Sequence, residues 1–203
     1  MKPGGKPDPF TAKAHKEGFA ARSVYKLEEI DRRCKLLRAG LHVLDLGAAP
    51  GSWTQWMCSR VGAKGRIVAV DLTPLGVTVP AFVQAVELDV LLAPLESFAM
   101  LGFFDLLVSD MAPHTTGVRD ADAALSAELV DRAIDIGDRC LRPGGNFVAK
   151  IFQGSDFEAV RKRLRDRFET VKVMKPEASR KESVEIFLVG LNRRAPTPVL
   201  PAQ

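Results

Sequence analysis

The chain predicts an α/β fold: a seven-stranded, mostly parallel sheet with its last strand antiparallel and helices on both faces. Three observations carry this. From residue 43 onward, apolar strand-like runs alternate with helix-like segments, as in a parallel sheet built from crossover units. The runs close on acids, Asp45, Asp71, Asp89 and Asp110, which lines four carboxylates along the carboxyl edge where open α/β sheets bind ligands. The last two strand candidates, Val171 to Met174 and Glu185 to Leu191, are separated by a ten-residue loop. That is too short for a crossover, so this pair is antiparallel.

The elements follow in order. Residues 1 to about 20 are rich in Lys, Gly and Pro and poor in apolar periodicity, which reads as a flexible basic arm. A helix follows, with Ser23 as N-cap and Val24, Leu27 and Ile30 on one face; Lys26 lies beside that face. Val43 to Leu46 is a buried strand that runs into Gly47-Ala48-Ala49-Pro50-Gly51. Trp53 to Val61 is a helix capped by Ser52. Arg66 to Asp71 and Phe82 to Leu88 are the second and third strands, and Leu91 to Leu101 is helical. Phe104 to Asp110 is the fourth strand, followed by the loop Met111 to Gly117. A long helix from Ala121 to Leu141 is stopped by Pro143-Gly144-Gly145. Asn146 to Ile151 is the fifth strand and carries Lys150. Asp156 to Phe168 is a helix with Phe157, Val160, Leu164 and Phe168 on one face. Arg161, Lys162, Arg163, Arg165 and Arg167 populate the rest of it. Residues 193–203 read as a Pro-rich disordered tail, which leaves a single domain over residues 21–192.

Composition narrows the class. With 203 residues and 46% hydrophobic content, the chain can build one sizeable core. No stretch is long or apolar enough to span a bilayer, and the N-terminus lacks the apolar segment of a signal peptide, so the protein is expected in the cytoplasm, as a monomer. Cys34, Cys58 and Cys140 are scattered, as are His15, His42 and His114; neither a disulfide framework nor a metal site is expected. The net charge of +4 hides an asymmetry. Residues 1–40 carry ten Lys/Arg against five Asp/Glu, residues 41–149 seven against thirteen, and residues 150–203 twelve against seven. Basic flanks around an acidic middle suggest a polyanionic partner such as RNA; the plain alternative is a solvated surface.

The first strand and its glycine loop form a ligand-binding corner. Gly47 and Gly51 let a ligand approach the backbone. Asp71, at the end of the next strand, can reach the hydroxyls of a ribose held over that loop. The G-x-G-x-x-G pattern of dinucleotide sites is absent. Asp45, just before the loop, is unwelcome beside a pyrophosphate but suits a sulfonium and an amino group. S-adenosylmethionine therefore fits better than NAD; an unliganded strand-turn-helix corner is the alternative. Lys150 stands in the apolar run Phe147-Val148-Ala149-Lys150-Ile151-Phe152, where a lysine must be paired or have a task. Glu185 opens the last strand against Val184, Ile186 and Phe187; its plain reading is an edge-strand acid.

At this point the chain resembles the FtsJ/RrmJ ribosomal RNA 2′-O-methyltransferases. The resemblance rests on Arg22-Ser23-Val24-Tyr25-Lys26-Leu27, Asp45-Leu46-Gly47-Ala48-Ala49-Pro50-Gly51-Ser52-Trp53 and Ser109-Asp110-Met111-Ala112-Pro113. It also rests on Lys150-Ile151-Phe152-Gln153-Gly154 and Lys175-Pro176-Glu177-Ala178-Ser179-Arg180. These run in family order from about Arg22 to Gly190. The resemblance implies a Rossmann-like S-adenosylmethionine-dependent methyltransferase fold. It implies a catalytic Lys-Asp-Lys-Glu tetrad at Lys26, Asp110, Lys150 and Glu185, and cofactor contacts at Gly51, Trp53, Asp71, Asp89 and Asp110. It implies methylation of a uridine 2′-hydroxyl in 23S rRNA of the large ribosomal subunit. Ser52 stands where a glycine is common, His114 where an asparagine is usual and Phe187 where a tyrosine is usual. None of these touches the tetrad.

The tetrad suits methyl transfer to a ribose oxygen. That oxygen must attack the methyl in line from about 3–3.5 Å, and a hydroxyl is a poor nucleophile until its proton is taken. A neutral Lys150 could take it; alternatively Lys150 stays charged and positions the ribose. Neither route needs a metal. Other classes are an RNA-binding protein with a non-catalytic methyltransferase fold, a small-molecule O-methyltransferase, and a 2′-O-methyltransferase acting on tRNA. The intact tetrad opposes the first, and the basic flanks and missing substrate-cap domain oppose the second.

Overall fold

The computed structural model describes residues 8–180 and 182–195. Its elements are α1 (Pro9–Lys16), α2 (Val24–Cys34), β1 (His42–Leu46), α3 (Ser52–Val61), β2 (Arg66–Asp71), β3 (Val83–Glu87) and α4 (Leu95–Ala99). They continue with β4 (Phe104–Ser109), α5 (Arg119–Cys140), β5 (Leu141–Phe152), α6 (Phe157–Arg167), β6 (Phe168–Met174) and β7 (Glu185–Arg193). The seven strands lie in the order β3-β2-β1-β4-β5-β7-β6. The pairs from β3 to β5 are parallel, and β7 is antiparallel to both β5 and β6. The chain steps outward from β1 through β2 to β3, then returns to add β4 on the other side of β1. That reversal is the switch point at which such sheets open a crevice. No helix among the described residues is long and apolar enough to cross a membrane.

Strand side chains alternate between faces, and the core divides accordingly. Leu44, Leu46, Val68, Val70, Leu107, Phe147, Ile151 and Leu188 pack against α4, α5 and α6 through residues such as Phe98, Val130, Ile134 and Leu164. Val43, Ile67, Leu106, Val108, Val148, Phe187 and Val189 face the other way, against Leu27 and Ile30 of α2 and Trp53, Met57 and Val61 of α3. Helices therefore cover both faces, as expected.

Four local expectations change. The basic arm is not bare from residue 9 on. Asp8 caps α1 by accepting from the Phe10 N–H at 3.0 Å, with Pro9 in the first turn. Ala14 is buried with Val24, Tyr25 and Ala178, and Phe10 and Phe19 pack around them. The sequence looked polar there because only three apolar side chains do this work, too few to make a period. Residues 1–7 and 196–203, which hold the rest of the expected arm and nearly all of the expected tail, lie outside the described residues. Ser23 and Ser52 cap nothing with their side chains; their hydroxyls bond each other at 2.8 Å. Together with the Trp53 indole N–H donating to the Ser23 carbonyl at 2.9 Å, this ties the start of α2 to the start of α3. Pro143-Gly144-Gly145 does not separate helix from strand. β5 already begins at Leu141, and the three residues form an irregularity inside it where the register against β4 shifts. Finally, the α6 cations are largely paired. Arg163 reaches Asp131 at 2.6 Å and Asp135 at 2.7 Å, and Arg167 reaches Asp138 at 2.8 Å. Two of the five cations thus close against acids of α5, and Arg161 and Lys162 pair within α6 itself.

Gly190 of β7 shows how tightly the reversed strand is held. A Cβ there would lie 2.7 Å from Cγ and Cδ2 of Phe168, a buried ring 5.9 Å from that of Phe147. Overpacking of this kind costs about 1–3 kcal/mol. Gly190→Ala should therefore lower the melting temperature by roughly 2–10 °C at this chain length, read by circular dichroism. An unchanged melt would mean that the Phe168 ring yields freely.

Candidate active site

The switch point holds a cavity of about 320 Å³ lined by Gly47 and Ala49 after β1, Asp71 and Leu72 at the end of β2, and Asp89 and Leu91 beyond β3. Asp110 and Met111 after β4 and Leu129 of α5 close it. Gly47 is essential to its shape. The residue has φ of 73°, and a Cβ would lie 2.6 Å from the Met111 side chain and 2.9 Å from its backbone nitrogen. Only glycine lets the loops after β1 and β4 approach this closely.

The acids around the cavity differ in their surroundings. Asp71 braces the loop from below, with Oδ2 accepting from the Ala49 N–H at 2.9 Å and Oδ1 from Thr73. Asp89 Oδ1 accepts from the N–H groups of Leu91 and Leu92. Asp45 is fully buried within β1; Oδ2 accepts from the Thr54 hydroxyl at 2.7 Å, and Oδ1 has no partner among the described residues. Burial pushes the Asp45 carboxyl up to about 7, the Thr54 bond opposes this, and repulsion from Asp110 and Asp71 adds to it.

Gly51 and Trp53 do not line the cavity. Gly51, at φ of 112°, makes room for Val77, whose Cγ2 would be 2.4 Å from a Cβ. Trp53 is buried, its ring 5.9 Å from that of Phe187. What α3 offers toward the loop is its N-terminus, whose first N–H groups lack intrahelical partners.

All four tetrad residues come together, and side-chain alternation explains why. Asp110, Lys150, Glu185 and Phe187 share the parity of Val108, Val148 and Val189, so they point to the face that α2 covers. Lys26 comes down from α2 to meet Glu185 at 2.6 Å. Lys150 donates to the Asp110 carbonyl at 2.7 Å and lies 3.0 Å from its Oδ1. Phe187 is the register partner of Lys150, and its ring centroid is 5.8 Å from the Lys26 ammonium; the two ion pairs are therefore neighbours. Glu185 is no edge-strand acid, because β7 lies between β5 and β6. Of the three residues that depart from the family pattern, Phe187 is not apart from the tetrad as expected, since it lies opposite Lys150 and beside Lys26; all three are accommodated. Ser52 spends its hydroxyl on Ser23, Phe187 is fully buried, and His114 is exposed in the loop after β4.

Sequence reasoning missed several contributors. Ser179 donates to Glu185 Oε1 at 3.1 Å. Asp122 accepts from Thr116 and Gly117 and so pins the loop that carries His114. Leu72, Leu91 and Leu129 give the cavity its apolar walls. Ser179 lay inside a motif already noted, without a role; the others carried no signal beyond ordinary polarity or hydrophobicity.

The raised Asp45 value has a definite sign. Its folded value exceeds the unfolded value of about 4, so the native state binds the extra proton. Stability from this group is full below about pH 4 and is lost as pH rises toward about 7. Asp45→Asn should remove this slope. The variant should gain on the wild type by a few kcal/mol above pH 7 and lose that advantage toward pH 4, as read by urea denaturation across pH. Parallel stability curves would mean that Asp45 is not held neutral by burial.

Comparison with known proteins agrees with this geometry. The FtsJ-like methyltransferase family model matches residues 19–193. A ribosomal RNA large subunit methyltransferase E from Sorangium cellulosum is 49% identical over 190 residues, covering 94% of this chain and 90% of that protein. The protein of the same name from Bdellovibrio bacteriovorus is 46% identical over 192 residues, covering 92% and 97%. Among solved structures, a ribosomal RNA methyltransferase from Plasmodium falciparum superposes with a TM-score of 0.75 at 24% identity, covering 86% of this chain and 98% of that one. Aeropyrum pernix fibrillarin with bound S-adenosyl-L-methionine superposes with a TM-score of 0.54 at 17% identity, covering 89% and 73%. These two likenesses are of fold. The family match over residues 19–193, with close to half identity over at least nine-tenths of these relatives, makes this protein a member of the FtsJ-like methyltransferase family.

Proposed function

We propose that this protein uses S-adenosylmethionine to methylate a ribose 2′-hydroxyl of RNA, with a uridine of 23S rRNA in the large ribosomal subunit as its target, in the cytoplasm. The observation that carries the reading is the pair of buried ion pairs, Lys26–Glu185 and Lys150–Asp110, beside the glycine-floored cavity. The names of the bacterial relatives support the choice of substrate.

The cavity suits a cationic nucleoside. Leu72, Leu91 and Leu129 offer apolar walls to a flat base, and Asp71 and Asp89 offer acceptors for hydroxyl and amino groups. Gly51 and the first N–H groups of α3, those of Ser52 and Trp53, suit a carboxylate; Trp53 would then contribute its backbone rather than its ring. When bound, the cofactor supplies an electrophilic methyl group on a sulfonium.

The chain's own residues manage the hydroxyl. A neutral lysine amine has two N–H donors and one lone pair. Lys150 donates to the Asp110 carbonyl and lies in ion-pair distance of its Oδ1. One donor is engaged by the Asp110 carbonyl and the carboxylate lies close by; a neutral amine so placed has a lone pair that can accept the 2′-hydroxyl proton. Lys26, held by Glu185, keeps a positive charge beside the oxygen as negative charge develops on it. Asp110 joins the two halves of the site, since it lines the cavity and also holds Lys150.

Two outcomes are expected. Removing the Asp71 carboxylate should cost about 1.5–3 kcal/mol of binding; Asp71→Ala should weaken affinity for S-adenosylhomocysteine roughly ten- to a hundred-fold by calorimetry. Equal affinity would take Asp71 out of the site. Lys150→Arg keeps the charge and the donors but cannot accept a proton. It should retain S-adenosylmethionine while single-turnover transfer to large-subunit rRNA from cells lacking the protein falls by about 100-fold or more. Near wild-type transfer would show that Lys150 only positions the ribose.

A further inference from the structure

Three successive residues, Asp89, Val90 and Leu91, line the cavity from one side. They belong to a single turn after β3, closed by the Ala93 N–H donating to the Asp89 carbonyl at 2.9 Å. Inside the turn, Asp89 Oδ1 accepts from the N–H groups of Leu91 at 2.8 Å and Leu92 at 3.1 Å. Those bonds occupy one carboxylate oxygen and leave Oδ2 for a ligand. The outward carbonyls of the turn are taken from α5. The Arg132 Nε–H donates to the Val90 carbonyl at 2.8 Å, and its Nη2 donates to the Ala93 carbonyl. The guanidinium also lies 6.0 Å from the centroid of the buried Phe98 ring of α4. The nearby α5 acids Asp131 and Asp135 are held by Arg163, so the Arg132 guanidinium is left to bond backbone. A planar fork spans two carbonyls at once, which a single ammonium does poorly.

We infer that Arg132 is a positioning residue for the nucleobase end of the cofactor: by holding the Val90 and Ala93 carbonyls, it sets the angle at which Asp89 Oδ2 and the Leu91 side chain meet the adenine. The inference rests on the S-adenosylmethionine reading above. Arg132 itself does not line the cavity, whereas Leu129, three residues earlier on α5, does; the helix thus shapes the site directly at Leu129 and through the turn at Arg132. The two contacts offered by the turn differ in what they demand. A hydrogen bond from the adenine amino group to Asp89 weakens steeply when its angle opens. Apolar contact with Leu91 is non-directional and survives a small tilt. Loosening the turn therefore costs selectivity for adenine before it costs general affinity.

The experiment compares S-adenosylhomocysteine with S-inosylhomocysteine, whose base carries a carbonyl in place of the amino group, by calorimetry. Wild type should favour the adenine ligand by about ten-fold or more, because the carbonyl of the other base would face a carboxylate. Arg132→Met should bind S-adenosylhomocysteine about ten-fold more weakly and S-inosylhomocysteine within about two-fold of wild type, so that the preference collapses. Arg132→Lys keeps the charge but reaches one carbonyl; its preference should fall between the two, and it carries the test if Arg132→Met does not fold. In an Asp89→Ala background, Arg132→Met should cost no further selectivity, because it acts through Asp89. With S-adenosylmethionine saturating, single-turnover transfer by Arg132→Met should stay within about two-fold of wild type while KM for the cofactor rises about ten-fold. Equal losses for both ligands, a loss of selectivity in Asp89→Ala as large as in wild type, or a saturated rate that falls as far as affinity does would each make Arg132 a fold contact only. Wild type that binds S-adenosylhomocysteine while both Arg132 variants keep its full preference sinks this inference alone; wild type that binds neither ligand sinks the cofactor reading with it.

Discussion

The direction of β7 is the constraint on which the site depends. Every other strand of the sheet ends at the carboxyl edge, where the loops form the cavity. β7 runs the opposite way, between β5 and β6, so it begins at that edge. Its first residue, Glu185, therefore pairs in register with Phe152, the last residue of β5. A parallel β7 would start at the far edge and take its acid away from the chemistry. Reversal also sets parity: with Phe187 opposite Lys150, both side chains rise on the α2 face. One antiparallel register thus delivers the acid that holds Lys26, the ring that separates the two ion pairs, and the strand that flanks Lys150.

The electrostatics follow from this crowding. Two lysines and two carboxylates, all at most about one-sixth exposed in their side chains, cannot be kept out of water unless each charge has its partner. Removing one member of either pair strands the other, so loss of activity in an alanine variant mixes chemistry with a structural penalty. Variants that keep charge and length separate the two better. Asp45 is the counter-case. It is buried without a cation, and its carboxyl is pushed up to about 7 by that burial. Its cost is borne at neutral pH by the rest of the fold, as expected where a site trades stability for function.

Much of this was legible in the sequence, for physical reasons. Alternation and apolar runs are local, so strands and covering helices could be read, and a ten-residue gap was enough to reverse β7. An isolated lysine in Phe147-Val148-Ala149-Lys150-Ile151-Phe152 signals a paired or working amine because water is missing around it. What failed was whatever depended on partners distant in sequence. Ser23 and Ser52 both read as helix caps, yet 29 positions apart they bond each other. The α6 arginines read as a basic surface, yet acids of α5 take Arg163 and Arg167. Arg22 and Arg180 line one cleft beside the Lys26–Glu185 pair, and no window of sequence contains both. Residues 9–16 looked structureless because their few apolar side chains are completed by Tyr25 and Ala178 from other segments.

Asp110 ties these parts into one device. Its carboxylate faces the cavity, and both its carboxylate and its carbonyl hold Lys150. Whatever fills the cavity therefore alters the charge environment of the residue that orients the amine. A cation there would share the carboxylate that Lys150 uses. The same cation relieves the repulsion between Asp110 and Asp45. The cavity and the Lys150 ammonium are thus joined through a single side chain. The acid stands one residue beyond β4, at the switch point, and that position is what lets it face the cavity and Lys150 together.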